Sequence, residues 1–234
     1  MRVAVVIPVL NEAGAIGPTV RGVLGMVDEV IVVDGDSGDA TADEARAAGA
    51  EVLVERRRGY GQACASGAAL ATEHGADILV FMDGDGADVP EALPLLVTPI
   101  RDDSRDFVIA SRTRGSREAG SMQWHQVLAG QVIGAGIGLA TGVRYSDMCA
   151  LRAIRPQVLA GLGLREMGYG WNLEMQMRAA RAGLRIEEVP VPYRRRIAGQ
   201  SKVSGNLRGT LRAGSRIMAT LVRIATETRA PNPG

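Results

Sequence analysis

The first 110 residues alternate between short apolar runs and longer segments suited to helices. The apolar runs do not alternate with polar residues, which is typical of strands that are buried on both faces of a parallel sheet. We therefore predict βαβ units and an α/β fold with a mostly parallel central sheet flanked by helices. The predicted strands are residues 3–7, 30–33, 51–54, 78–82 and 107–110, and the predicted helices are residues 16–26, 41–48, 60–74 and 90–100.

The alternation of short apolar runs and helical segments ends after Ser111. We predict a loop over residues 115–120, a glycine-rich helix over 121–140, a second helix over 171–182 and a late strand over 185–189. Because no repeat or long linker interrupts the chain, we predict one domain over residues 1–205 and a basic helical extension over residues 206–234.

The composition indicates a globular protein without a membrane span, but it does not indicate a reaction. At 46% hydrophobic and 3% aromatic residues, the chain can build a sizeable core that is mainly aliphatic. No apolar run approaches the ~18 residues of a membrane span, and the first strand lacks a signal-peptide cleavage site. Cys64 and Cys149 lie far apart and are read as reduced thiols. We therefore expect a cytoplasmic protein, and the net charge of +1 gives no reason to expect nucleic-acid binding.

Aspartates follow two of the predicted strands. Asp83 and Asp85 flank Gly84 after the strand over 78–82, and Asp34 and Asp36 follow the strand over 30–33. Ligands of open α/β sheets bind at the carboxyl ends of strands, so both acidic pairs are expected to face one crevice. Two close carboxylates favour a cation, and Mg²⁺ or Mn²⁺ prefers oxygen ligands. We predict that Asp83 and Asp85 bind this metal, the alternative being a solvated acidic turn.

Five segments, taken in order, resemble the family 2 inverting glycosyltransferases of GT-A fold. They are Pro8 to Glu12, Val33 to Ser37, Asp83 to Asp85, Asp147 to Ala153 and Arg196 to Lys202. The last segment is similar to the R-x-x-G-x-S-K of dolichyl- or polyprenyl-phosphate mannose and glucose synthases. The resemblance implies an enzyme that moves mannose or glucose from a GDP- or UDP-sugar to an acceptor, most simply a polyprenyl phosphate.

The resemblance also implies a role for each matching residue. The donor nucleotide site would include Pro8, Asn11, Glu12, Asp34, Asp36, Asp83 and Arg112. Arg196, Ser201 and Lys202 would hold the acceptor phosphate, and Arg196 and Lys202 would also stabilise the leaving diphosphate, as would Asp85 through the metal. Among its departures from the synthases, the chain has Ala87 where they have a glutamine and Ala150 where they have a glycine.

The acceptor decides whether a general base is needed. A phosphate monoester is already ionised at neutral pH, whereas a hydroxyl acceptor normally needs a base. Asp147 is the candidate for that base or for a group that orients the acceptor, and Glu174 is a weaker candidate that could simply pair with an arginine. The helix start at residues 57–63 is either a site for donor phosphates or an ordinary glycine-rich helix start.

Positive charge is concentrated near the end of the chain. Residues 194–229 contain nine Lys or Arg and one acidic residue, Glu227. Arg208, Arg212, Arg216 and Arg223 fall on one side of a predicted helix, which suggests peripheral contact with the inner face of a membrane. The alternatives are docking on the domain or a homodimer contact, with the arginines facing water.

Other functions share parts of this pattern. A sugar-1-phosphate nucleotidyltransferase would need a basic glycine-rich loop after the first strand, where this chain has Pro8 to Glu12. A non-catalytic sugar-nucleotide-binding protein would bind the donor without transferring it. A nicotinamide dehydrogenase is disfavoured because no G-x-G-x-x-G follows the first strand.

Overall fold

The computed structural model describes residues 1–198 and 207–227, and within the second range it describes side chains from residue 214 onward. In these ranges seven strands form one mixed sheet in the order β3-β2-β1-β4-β6-β5-β7. The strands are β1 Val3–Val9, β2 Glu29–Asp34, β3 Glu51–Val54, β4 Ile78–Phe81, β5 Phe107–Ser111, β6 Arg152–Ile154 and β7 Ile186–Pro190.

Helices cover the faces of this sheet. They are α1 Ile16–Val23, α2 Thr41–Ala47, α3 Tyr60–Glu73, α4 Leu93–Arg101, α5 Trp124–Thr141, α6 Pro156–Gly161, α7 Trp171–Arg181 and α8 Leu207–Thr226, with a 3₁₀ turn over Pro90–Ala92 before α4. The fold class is therefore confirmed, and the predicted elements lie within a few residues of the observed ones. The exceptions are β6 and α6, which the apolar pattern did not predict.

Strands β3, β2, β1 and β4 pair in parallel, and all of them except β3 at the edge of the sheet are largely buried. Every residue of β4 is buried, and β1 has one residue, Pro8, that is only partly covered. Strand β6 interrupts the parallel order, because it pairs antiparallel with both β4 and β5. The chain that enters β6 consequently lies at the same edge of the sheet as the carboxyl ends of its two neighbours.

Helix α3 packs closely on the centre of the sheet. A Cβ added at Gly67 would lie 2.4 Å from Val6 Cγ1 and 2.7 Å from Val33 Cγ2. Only a glycine therefore lets the helix backbone approach β1 and β2 this closely, which fixes the loops that leave these strands.

The basic helix α8 packs against α5 and α7, and two of its arginines pair with glutamates in α7 and in the loop before it. Arg216 Nε lies 3.1 Å from Glu166 Oε1, and Arg223 Nη2 lies 3.1 Å from Glu174 Oε1. Docking on the domain is therefore observed for this helix, and Arg223 is partly covered, whereas Arg216 pairs with Glu166 while its side chain stays 60% exposed. The side chains of Arg208 and Arg212 lie outside the described residues. The division of the chain at residue 205 stays a prediction.

Candidate functional site

The loops that follow the central strands meet at one edge of the sheet. Asn11 follows β1, Asp34 ends β2, Asp83 follows β4 and Arg112 follows β5. The antiparallel direction of β6 adds the segment before Arg152 to the same edge, since Arg152 is in register with both Phe81 and Ile109. The sheet thus brings together most of the residues that the sequence singled out.

The loops after β1 and β2 are hydrogen-bonded to each other. Ser37 Oγ accepts a bond of 2.8 Å from the Asn11 amide, and Asn11 Oδ1 accepts one of 2.9 Å from the Gly38 amide. Asp34 is buried and accepts bonds from both the amide and the hydroxyl of Ser37. Asp34 therefore supports the turn after β2.

The other predicted donor residues lie around this junction. Glu12 is buried, and its amide donates to Thr41 Oγ1 at 2.8 Å. Pro8 is half-buried and sits opposite Val33 in the β1–β2 register. Asp36 is exposed in a left-handed conformation with a φ of 63°. Glu12 and Asp34 are thus buried at this junction, whereas Asn11 and Asp36 are exposed.

Three aspartates crowd the loop after β4. Asp88 Oδ2 accepts a bond of 3.1 Å from the Asp83 amide, and Asp85 Oδ1 accepts one of 2.9 Å from the Ala87 amide. Burial, together with repulsion from the neighbouring aspartates, raises the pKa of Asp83 and that of Asp88 well above the ordinary range. Ionisation of these carboxyl groups is therefore unfavourable unless a further positive charge lies beside the loop.

Arg196 supplies part of the missing positive charge. Its Nη2 lies 2.7 Å from Asp85 Oδ2, and the Ile197 amide donates to the Asp85 carbonyl at 2.9 Å. The other terminal nitrogen, Nη1, is buried and has no hydrogen-bond partner among the residues that the structure describes. An unsatisfied guanidinium nitrogen beside a carboxylate cluster is suited to receive an anion such as a phosphate oxygen.

The chemistry of this loop fits Mg²⁺ or Mn²⁺. Hard divalent ions are commonly held by one or two carboxylates, with phosphate oxygens and water completing the coordination. The ligand atoms of Asp83, Asp85 and Asp88 do not form a preassembled three-ligand cage. In the described ranges the one group of that kind is Glu29, Glu51 and His74. That group lies at the opposite edge, where β2 and β3 begin, so it takes no part in this site.

Arg112 is held in place by Asp147. The Asp147 carboxylate accepts bonds from Arg112 Nε at 2.8 Å, from Arg112 Nη2 at 2.7 Å and from the Arg112 amide at 3.0 Å. The Met148 amide donates to Asp147 Oδ1 at 2.7 Å, so each carboxylate oxygen accepts two bonds. The Arg112 guanidinium also stacks on the Tyr193 ring, 5.0 Å from its centre. This arrangement favours an orienting role for Asp147 over that of a base.

Several supporting residues were not predicted. Glu188 accepts bonds from the amides of Ser146 and Asp147, and Gln176 donates to the Asp147 carbonyl at 3.0 Å. Arg152 is completely buried and donates to the carbonyls of Cys149 and Asn172. The sequence offered one signal, since Arg152 lies within the segment from Asp147 to Ala153 that resembles the family.

Hydrogen bonds distinguish the alternatives that the sequence left open for the start of α3 and for Glu174. The Gly61 and Gln62 amides at the start of α3 donate to the carbonyls of Gly168 and Met167, so they are not free for donor phosphates. Glu174 accepts bonds from Arg178 and Arg223, which confirms the pairing alternative for that residue. Ser201 and Lys202 lie outside the described residues.

Residues 4–153 match the family described as Glycosyl transferase family 2. The chain belongs to this family of glycosyltransferases. The matched span contains the three aspartates and the Arg112–Asp147 pair, and it ends before Arg196. The enzyme class and the GT-A type of fold expected from the sequence are thereby confirmed.

Relatives of this glycosyltransferase cover nearly its whole length. An undecaprenyl-phosphate mannosyltransferase of Micrococcus luteus is 36% identical over 225 residues, covering 89% of this chain and 90% of that protein. An uncharacterized glycosyltransferase of Mycobacterium tuberculosis is 36% identical over 211 residues, covering 89% and 93%. A polyprenol monophosphomannose synthase of Mycolicibacterium smegmatis is 30% identical over 218 residues, covering 88% and 82%.

A solved structure confirms the fold. Glucosyl-3-phosphoglycerate synthase from Mycobacterium tuberculosis, crystallised with Mg²⁺ and uridine diphosphate, matches with a TM-score of 0.77 at 24% identity. The match covers 97% of this chain and 80% of that one. Within the described ranges, no helix has the length and apolar character needed to cross a bilayer.

Proposed function

We propose that this glycosyltransferase moves a hexose, mannose or glucose, from a GDP- or UDP-sugar to a polyprenyl phosphate with inversion at the anomeric carbon. The observation that carries the proposal is the contact between Arg196 and Asp85. It places an arginine of the acceptor-side segment, with one nitrogen unsatisfied, directly against the carboxylates proposed to serve the donor diphosphate. The names of the Micrococcus and Mycolicibacterium relatives support a polyprenyl phosphate as the acceptor.

The donor would lie across the edge of the sheet from β2 to β4. Its nucleoside would contact the loops of Asn11, Glu12, Asp34 and Asp36, and its diphosphate would lie beside Asp83 and Asp85. Mg²⁺ or Mn²⁺ bound by these two aspartates would stabilise the charge that develops on the departing diphosphate. Arg112, fixed by Asp147 and Tyr193, would contact the sugar or a phosphate oxygen from the β5 side.

The acceptor would approach from the side of β7. Its phosphate is ionised at neutral pH, so its oxygen can attack the anomeric carbon without transferring a proton to the protein. Arg196 would hold that phosphate through the nitrogen that has no described partner, and we propose Ser201 and Lys202 as further contacts. In this arrangement Asp147 needs no role as a base, which agrees with its four hydrogen bonds.

The experiment is a transfer assay with a panel of sugar nucleotides. The protein is incubated with Mg²⁺ or Mn²⁺ and with GDP-mannose, UDP-glucose or related donors, in the presence and absence of a short polyprenyl phosphate. We expect one donor to release nucleoside diphosphate only when the acceptor is present, with formation of the glycosyl lipid phosphate.

The same assay separates the rival functions. Formation of pyrophosphate from a sugar-1-phosphate and a nucleoside triphosphate would identify a nucleotidyltransferase. Tight donor binding without turnover on lipid or soluble phosphate acceptors would identify a non-catalytic binding protein, and the proposal would then be wrong.

A further inference from the structure

Helix α5 is unusual because it is exposed and carries no charge. From Ala119 to Val143 the chain contains no Asp, Glu, Lys or Arg, although 23% of all residues are of these types. Only Gly134 and Ile137 of this helix are buried. An exposed helix of a globular protein normally presents charged or polar residues to water, so this composition needs an explanation.

The exposed apolar side chains of α5 form one stripe. Trp124, Leu128, Val132 and Leu139 fall within about 80° of one another around the helix axis, at 100° per residue. Trp124 is 76% exposed and Leu139 is 92% exposed. We call these four residues the α5 stripe.

The neighbouring helix α8 presents more apolar surface. It lies close to α5 at Gly136, where an added Cβ would be 3.3 Å from Leu221. Met218 and Val222 of α8 are exposed. Arg216 and Arg223 pair with Glu166 and Glu174, so their charges are partly neutralised where Met218 and Val222 are exposed.

Positive charges stand at both ends of the stripe. Arg117 and Arg195 are exposed near the start of α5, and Arg144 is exposed just after its end. The acidic neighbour at the first end, Glu118, accepts a bond of 2.8 Å from the Arg195 amide. An apolar stripe with an arginine rim is complementary to a bilayer with anionic headgroups, since the apolar side chains enter the acyl boundary and the arginines meet phosphates.

The start of α5 is tied to the acceptor side of the site. Tyr193 and Arg195 are bonded to the loop that precedes α5, through Tyr193 N to the Ser116 carbonyl at 2.9 Å and Arg195 Nε to the Ala119 carbonyl at 2.6 Å. The next residue, Arg196, contacts Asp85. An open groove of about 570 Å³ lies beside this loop, and its lining includes Arg117, Met122, Trp124 and Val127.

We infer that the α5 stripe is the surface by which this enzyme rests on an anionic lipid bilayer, so that the acceptor phosphate reaches Arg196 from the membrane. The link to the acceptor rests on the proposed function, whereas the membrane contact itself does not. A second copy of the chain fits less well. A two-fold symmetric contact through the stripe would set arginine rims against each other in either direction of pairing.

The two tryptophans allow a direct test on the unmodified protein. Trp124 is exposed and Trp171 is 1% exposed, so brominated lipids that quench the fluorescence report on Trp124. With phosphatidylglycerol vesicles we expect a blue shift and quenching, and with phosphatidylcholine vesicles we expect binding at least tenfold weaker. Absence of quenching with both vesicles would overturn the inference.

A pair of variants tests the stripe itself. Leu128→Gln combined with Leu139→Gln should weaken vesicle binding by about 10- to 100-fold, because two apolar side chains no longer enter the bilayer. The control, Leu95→Gln combined with Met26→Gln, changes two exposed apolar residues elsewhere and should bind like the wild type. Equal binding by the Leu128/Leu139 variant would overturn the inference. A third outcome is also informative. If the wild type is a dimer, this variant is a monomer and neither protein binds vesicles, the surface is a contact with a second copy and the inference is wrong.

Activity separates this inference from the proposed function. With the Leu128/Leu139 variant, kcat/KM for a long-chain acceptor in vesicles should fall at least tenfold more than kcat/KM for a water-soluble short-chain acceptor. Vesicle binding by the wild type without transfer to any polyprenyl phosphate would sink the proposed function while supporting the bilayer contact.

Discussion

At Asp83 the folded chain holds a carboxylate under conditions that oppose its charge. Burial and the nearby Asp88 and Asp85 raise the pKa of Asp83, so the ionised group is less stable in the folded protein than in the unfolded chain. Proteins keep such arrangements where a ligand later supplies the opposite charge. The loop after β4 thus carries a stability cost that a divalent ion would remove.

Asp83→Asn should therefore stabilise the metal-free protein while it abolishes metal-dependent transfer. Relief of the repulsion is worth about 1–2 kcal/mol, which corresponds to a rise in Tm of roughly 2–8 °C for a chain of this size. Thermal unfolding in EDTA at pH 7.5 measures the effect. Asp43→Asn, at an exposed position, is the control and should leave Tm within about 1 °C. A fall in Tm for Asp83→Asn would contradict this explanation.

Two aspartate–arginine pairs with the same bidentate geometry differ in burial. Asp147→Ala leaves the Arg112 guanidinium, which is 17% exposed, without its carboxylate, so we expect a loss of about 3 kcal/mol in the free energy of unfolding. Asp106→Ala breaks the more exposed pair with Arg185 and should cost less than about 1 kcal/mol. Urea unfolding compares the two variants. Equal losses would show that Asp147 does not fix Arg112.

His74 and Glu29 give a pH-dependent contact away from the site. His74 Nδ1 lies 2.6 Å from Glu29 Oε1, and this carboxylate raises the pKa of the imidazole above its ordinary value of 6.5. The contact therefore stabilises the fold fully below about pH 6.5 and loses its effect as the pH rises through the raised pKa. NMR titration should show the elevated pKa, and Glu29→Gln should lower it. An unaltered His74 curve in Glu29→Gln would contradict the assignment.

At the scale of elements, the apolar pattern of the sequence predicted the strands and helices whose signal is local. The apolar runs of β1, β2 and β4 predicted buried parallel strands. The aspartates that follow β2 and β4 predicted the edge of the sheet where a ligand is expected. Strand β6 has three residues, too few for a periodic signal, and its place between β4 and β5 depends on partners far along the chain. The Arg112–Asp147 pair was missed for the same reason, since 35 residues separate the two side chains.

The close approach of α3 to the sheet gives a prediction for two glycines. Gly67→Ala should cost about 1–3 kcal/mol of stability, because the added methyl group would overlap Val6 and Val33. Gly130→Ala lies on α5 with no atom within 4 Å of the added Cβ, so it should gain about 0.5–1 kcal/mol from helix propensity. Chemical denaturation measures both changes. A stable Gly67→Ala variant would mean that α3 does not pack against β1 and β2 as described.

At the scale of the whole molecule, the chain combines the sheet edge where we propose that the donor binds with exposed apolar side chains on α5 and α8. The sequence predicted a basic amphipathic helix and assigned its arginines to water or to a membrane. The fold instead directs Arg216 and Arg223 to Glu166 and Glu174, and no local periodicity could reveal those partners. The apolar stripe of α5 was visible in the sequence only as a glycine-rich helix, because exposure depends on which face the neighbouring elements leave uncovered.

The most direct test of the account is Mn²⁺ binding measured by electron paramagnetic resonance. Protein and nucleoside diphosphate together should remove the signal of free Mn²⁺, because we propose that Asp83 and Asp85 hold the ion together with the diphosphate. Asp85→Asn should weaken this binding by at least tenfold, and Asp43→Asn should not change it. If Asp85→Asn takes up Mn²⁺ as strongly as the wild type, the metal does not bind at the end of β4 and the account is wrong.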